Sequence, residues 1–190
     1  MAAIAARILA DAPPRFALAG LSMGGYIAFA MLRLAPERIV KLALLDTSAR
    51  PDTPEQTAGR KTQIAMAQGG RYGEIPDLSI PRYLHMNRQK DVAMTTIVRQ
   101  MISETGAQAF VRQQNAIMTR PDSRPLLEGI RCPTLVLVGA GDELTPPELA
   151  KEIAAGISGA RLVVVPECGH LSTLDKPEPV NAALVEWLSG

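Results

Sequence analysis

Apolar residues fall into two alternating patterns along this chain: short, nearly continuous runs, and longer stretches in which they recur every three or four positions. Ala2–Ala12 is of the second kind, with Ile4, Ile8 and Leu9 on one predicted helical face and Pro13-Pro14 ending it. Phe16–Gly20 is of the first kind and predicts a strand. Helical spacing returns over Gly24–Leu34 through Tyr26, Ile27, Ala30, Met31 and Leu34, is closed by Pro36, and gives way to a second apolar run at Ile39–Leu45.

The same rhythm resumes after residue 133. Leu135–Gly139 reads as a buried strand. Thr145-Pro146-Pro147-Glu148 has the form of a capping box opening a helix with Leu149 and Ile153, and Arg161–Val165 is a fourth strand. A last helix is expected from about Asp175, with Glu178 three residues on and Val180, Leu184, Trp187 and Leu188 as its apolar stripe. Continuous apolar strands alternating with amphipathic helices predict an α/β fold. The expected sheet is mostly parallel, covered by helices on both faces and joined by right-handed crossovers. Between the second and third strands, Pro51 to about Asp122 is helix-like throughout and is broken at Gly69-Gly70, around Pro76 and Pro81, and at Gly106. The expected organisation is a core of residues 1–50 and 123–190 with a helical insertion at 51–122.

Composition removes several classes of function. Twenty Lys and Arg face 19 Asp and Glu, with no basic run able to follow a phosphate backbone, so nucleic acid is not an expected partner. Charge or glycine interrupts every apolar stretch before membrane-spanning length, and the N-terminus lacks the layout of a secretory signal; the expectation is a cytoplasmic protein without a membrane partner. Aromatic residues are only 4%, which favours helices on a sheet over a β-sandwich. Cys132 and Cys168 lack metal-type spacing and read as buried thiols.

The chemistry concentrates in Gly20-Leu21-Ser22-Met23-Gly24, a G-x-S-x-G directly after a predicted strand and before a predicted helix. A serine there sits on a very tight turn, which glycines on both sides permit, and its hydroxyl projects from the sheet edge. The following helix N-terminus aims N–H groups at any oxyanion, with Met23 N–H the expected donor. A serine hydroxyl needs a base oriented by a carboxylate. His170, just past the fourth strand, shares an edge with Ser22 if the strands are parallel, whereas His85 lies in the insertion. Asp142, just past the third strand, gives the order Ser, Asp, His; Asp46, ending the second, is the competing acid, and Glu143 is a weaker candidate. No phosphate-binding loop or metal-ligand cluster is apparent, so neither cofactor nor metal is expected.

GLSMGGYIAF, CPTLVLVGAGD and VVVPECGH together resemble the nucleophile elbow, acid strand and histidine loop of the α/β-hydrolase superfamily. The chain is most similar to its small capped bacterial members, which include enol-lactonases, carboxylesterases and proline iminopeptidase-like enzymes. The resemblance implies hydrolysis of a small-molecule acyl substrate, with 51–122 as the cap. It also implies that this chain is the C-terminal part of the fold. Strands five to eight would be present and strands one to four, with the loop bearing a second oxyanion donor, absent; Met1 would then be an internal methionine of a longer protein. The strand Phe16–Gly20 would expose an open sheet edge through which the chain could self-associate. Two alternatives follow: a weak or inactive fragment acting through protein interaction, and the same triad used for carbon–carbon hydrolysis, perhydrolysis or aminopeptidase chemistry. In the cap, Met66, Tyr72, Tyr83, Met94, Met101 and Phe110 are candidate substrate contacts, and Arg82, Arg88, Arg99 and Arg112 candidate carboxylate ligands.

Overall fold

The apolar runs become four strands because the two central ones have a packed layer on each face and the two edge ones are partly covered. In the computed structural model, which describes residues 1–190, α1 (Ala2–Asp11) leads into β1 (Phe16–Leu21), α2 (Met23–Leu34) and β2 (Ile39–Leu45). The chain then runs through α3 (Pro54–Gln68), α4 (Ile75–Tyr83), α5 (Val92–Met118) and α6 (Arg124–Leu127) before β3 (Thr134–Gly139). It ends with α7 (Pro147–Gly156), β4 (Arg161–Val165), α8 (Ser172–Asp175) and α9 (Pro177–Ser189). The strands lie in sequence order and all pairs are parallel, with Leu42 beside Leu18 and Thr134, and Val136 beside Leu44 and Leu162.

Right-handed crossovers in one direction put the connecting helices on one face. There α1, α2 and α7 bury Leu9, Phe29, Met31 and Ile153 against Leu42, Leu44, Val136 and Val138. On the other face α9 sets Val180, Ala183 and Trp187 against Ala43, Leu45, Leu135 and Leu137. The central strand β3 is buried along its whole length, while β1 at the sheet edge leaves Ala17 and Ala19 exposed. No helix is long and apolar enough to cross a membrane.

Between β2 and β3 the helices form small cores of their own. Ile75 and Phe110 meet in one; Ile80, Leu84, Met94 and Val98 form the other, against which Leu171 and Leu174 of the segment after β4 also pack. The run α5 is two helices in effect, because Gly106 leaves helical geometry at φ 72°, ψ 155°.

Several expected details are different. Thr145 does not cap α7, whose N-cap is Pro146 without a side-chain bond. Asp175 does not open α9 either: its carboxylate is buried, and it accepts from Gly169 N–H at 2.6 Å and His85 N–H at 3.0 Å. Both side chains turn inward instead, Thr145 to Asp142 in the preceding loop and Asp175 to Gly169 and to His85 of the insertion. Ile8 is 42% exposed, the inward face of α1 being Ala5 and Leu9, and Leu188 is likewise outside the α9 contact. Cys168 is buried and burial pushes its thiol up to about 12, but Cys132 is only half-buried.

Candidate active site

Parallel strands bring their C-terminal ends to one edge, and three of the four are followed within two residues by one with left-handed φ: Ser22 at 52°, Asp46 at 44° and Glu167 at 49°. Ser22 pairs that φ with ψ −115°, a conformation that costs a non-glycine residue about 1–3 kcal/mol and survives only when neighbours enforce it. They do so from both sides: Ser22 N–H donates to Leu45 O at 2.9 Å, and Thr47 Oγ1 donates to Ser22 O at 2.8 Å.

The glycines divide the work unequally. A Cβ on Gly20 would overlap the Gly24 carbonyl, and one on Gly25 would overlap the Thr47 side chain, so strand, turn and helix approach as closely as they do only because both lack one. Gly24 is different. A Cβ there would meet nothing within 4 Å, so the second glycine of the motif contributes its backbone, not its missing side chain.

Ser22, His170 and Asp142 form a continuous hydrogen-bonded line. Ser22 Oγ lies 2.8 Å from His170 Nε2, and His170 Nδ1 lies 2.8 Å from Asp142 Oδ2. With its ring proton on Nδ1, His170 donates to the carboxylate and accepts from the serine hydroxyl. Asp142 is fixed in turn by Leu144 N–H and Thr145 N–H on Oδ1, at 2.8 and 2.9 Å, and by Thr145 Oγ1 on Oδ2 at 2.6 Å. Burial alone would raise the Asp142 carboxyl, but the bonds and charge of His170 with those of Thr145 outweigh it and hold the group below its usual range. Thr145 is the site residue that sequence reasoning missed. Its position in a cap-like tetrapeptide disguised it.

Asp46, the competing acid, is not part of this line. Its Oδ1 accepts from Gly139 N–H at 2.9 Å and its Oδ2 from Ser172 Oγ, so it straps β2 to β3 and to the segment after His170. Burial pushes its carboxyl up to about 7. His85 is also apart, packing over Gly141 and Gly169. Met23 is the first residue of α2 and lines the same cavity as Ser22; its N–H belongs to the first turn, which has no helical acceptors.

That cavity has a volume of about 650 Å³, within the range of small-molecule sites, and lies between the strand ends and α3, α4 and α5. Tyr72, Tyr83, Met101 and Phe110 line it, whereas Met66 and Met94 pack into the small helical cores. Of the four arginines singled out in the sequence only Arg82 reaches it; Arg88 and Arg99 are engaged by Asp91 and Asp77. Arg50, Arg60 and Arg120 line it instead, and nothing in their sequence context distinguishes them.

Known proteins share this arrangement of elements. An esterase from Thermogutta terrifontis superimposes with a TM-score of 0.87 and 37% identity, over 93% of this chain and 65% of its own. The enol-lactonase of Burkholderia xenovorans LB400 does so with a TM-score of 0.84 and 27% identity, over 93% of this chain and 66% of its own. The pimeloyl-(acyl-carrier protein) methyl ester esterase of Aromatoleum aromaticum is 26% identical over 190 residues, covering 94% of this chain and 76% of that protein. The chain thus spans about two thirds of the length of the solved proteins it resembles. Residues 1–183 match the profile of the Alpha/beta hydrolase family, and the chain belongs to that family.

Proposed function

We propose that this chain carries the catalytic residues of a serine hydrolase acting on a carboxylic ester, lactone or related acyl compound. The observation that carries the reading is the unbroken line Ser22 Oγ, His170, Asp142, with its serine end open to a cavity of about 650 Å³. Ser22 attacks the acyl carbon as its proton passes to His170 Nε2. Asp142 holds the imidazole tautomer and stabilises the imidazolium. Met23 N–H, at the positive end of α2, donates to the oxygen that gains negative charge. The C–O bond to the leaving alcohol breaks as His170 returns the proton to it. Water, activated by the same histidine, then attacks the acyl-serine, and Ser22 leaves with its proton restored.

Residues 51–122 act in this scheme as a cap that shapes the acyl pocket, a role supported by the number of α3 and α5 residues along the cavity. Hydrolysis of short-chain p-nitrophenyl esters tests the reading. Activity lost in Ser22→Ala and His170→Ala, with melting temperatures retained, is the expected result. Turnover persisting in folded Ser22→Ala would refute it, and a folded wild type inert toward every acyl probe would favour the non-catalytic alternative.

A further inference from the structure

The cavity beside Ser22 is unevenly charged. Arg60 and Arg120 share one buried carboxylate: Arg60 Nε lies 2.7 Å from Asp52 Oδ2, and Arg120 Nη1 lies 2.6 Å from Asp52 Oδ1. The side chains of Asp52 and Arg120 are 1% and 6% exposed, so this is an interior cluster, with one guanidinium charge uncompensated. The cluster is firmly built. Arg120 also donates from Nε to Arg50 O at 3.1 Å and stacks 4.2 Å from the centre of the Tyr26 ring, while Arg60 Nη1 donates to Gln114 Oε1 at 2.7 Å. The Nη2 group of each arginine has no acceptor within the protein, and both residues line the cavity.

Two further cavity residues bear on the balance. Arg82 reaches the same space from α4 without a carboxylate partner, and Glu55 is the only other acidic residue on the wall. Arg50 is held outward by Glu152 at 2.9 Å. Three guanidiniums therefore face two carboxylates. An unpaired charge in such a wall favours an anion, and the free Nη2 groups of Arg60 and Arg120 can each donate to one.

We propose that the substrate's acyl chain ends in a carboxylate bound by Arg60, with Arg120 and Arg82 adding charge. The ester or lactone end lies at Ser22, and the Tyr26 ring, which stacks on Arg120, lines the same cavity. This placement rests on the reading of Ser22 as nucleophile; the anion site itself does not.

Binding to the Ser22→Ala chain tests the site without turnover. Calorimetry compares monomethyl adipate, an anion at neutral pH, with the neutral ester in which an isopropyl group replaces its carboxylate. The anion binds about tenfold or more tightly, the worth of one charge-assisted contact, and added salt narrows the gap. Adding Arg60→Gln lowers the preference about tenfold while Arg120 still satisfies Asp52, and Arg60→Lys restores part of it. Should Arg60→Gln lower the melting temperature, Arg82→Gln on an exposed side chain replaces it, with a smaller loss of preference expected.

Equal binding of the two esters, binding of neither, or a preference indifferent to both substitutions would overturn the proposal. Failure of the nucleophile reading is distinguishable, since the anion would then bind as described while wild-type Ser22 resisted acylation.

Discussion

Alanine substitution of the three elbow glycines should separate them, although the motif treats two of them as equivalent. A methyl group on Gly20 enters the Gly24 carbonyl, and both partners are backbone within a strand and the first turn of α2, so neither can swing aside. Overpacking of that kind costs about 1–3 kcal/mol, and here it falls on a turn already strained at Ser22, so about 3 kcal/mol is the reasoned value for Gly20→Ala. Gly25→Ala meets the Thr47 side chain, whose hydroxyl also holds Ser22 O, and is expected to cost about 2 kcal/mol. Gly24→Ala adds its methyl to open space at a helical position, where alanine is favoured over glycine by about 0.5–1 kcal/mol. In a protein of this size 1 kcal/mol is about 2–4 °C in melting temperature. Differential scanning fluorimetry should therefore show Gly20→Ala lower by about 6–12 °C, Gly25→Ala by about 4–8 °C, and Gly24→Ala unchanged or up to about 4 °C higher. A Gly24→Ala protein as damaged as Gly20→Ala would refute the steric account of the elbow.

Ser22→Gly should melt above Ser22→Ala by about 1 kcal/mol, because glycine accepts φ 52°, ψ −115° without strain and alanine does not; equal melts would mean that the turn is not strained. Thr145→Val should leave the fold intact but lower ester turnover about tenfold, by removing the hydroxyl that fixes Asp142 at 2.6 Å, and unchanged kcat/KM would dismiss that role. Asp46 gives a pH signature. Unfolded, its carboxyl loses the proton near 3.8, while burial holds it in the folded state to about 7, so its contribution to stability falls as pH rises between those values and levels off above them. The Asp46→Asn chain lacks that slope, so melting curves at pH 4 to 8 should move in favour of the variant as pH rises; parallel profiles would contradict the assignment.

The apolar pattern made the strands legible because the runs of β2 and β3 are buried almost throughout, and those of β1 and β4, though only partly buried, stay continuous: Ile39–Leu45 and Arg161–Val165 are the observed bounds. It also put Ser22, Asp142 and His170 at strand ends, which a parallel sheet gathers on one edge. What the pattern could not convey is how the loops after the strands fold back and aim their polar side chains. Thr145 and Asp175 both sit where a local cap is expected, yet one turns to Asp142 and the other bridges Gly169 to His85. The choice between Asp142 and Asp46 was open for the same reason, since both follow strands and only the loop after β3 carries its carboxylate to the histidine. Arg60 and Arg120 were invisible because a buried arginine and a solvated one look alike in sequence until Asp52 is seen between them.

The central claim is that Ser22 is a nucleophile activated by His170, and intact-protein mass spectrometry with a fluorophosphonate probe addresses it most directly. The account predicts one adduct per chain, mapped by peptide digestion to Ser22, forming at least a hundredfold more slowly in a folded His170→Ala variant. An adduct on another residue, or labelling of Ser22 at the same rate without His170, would contradict it.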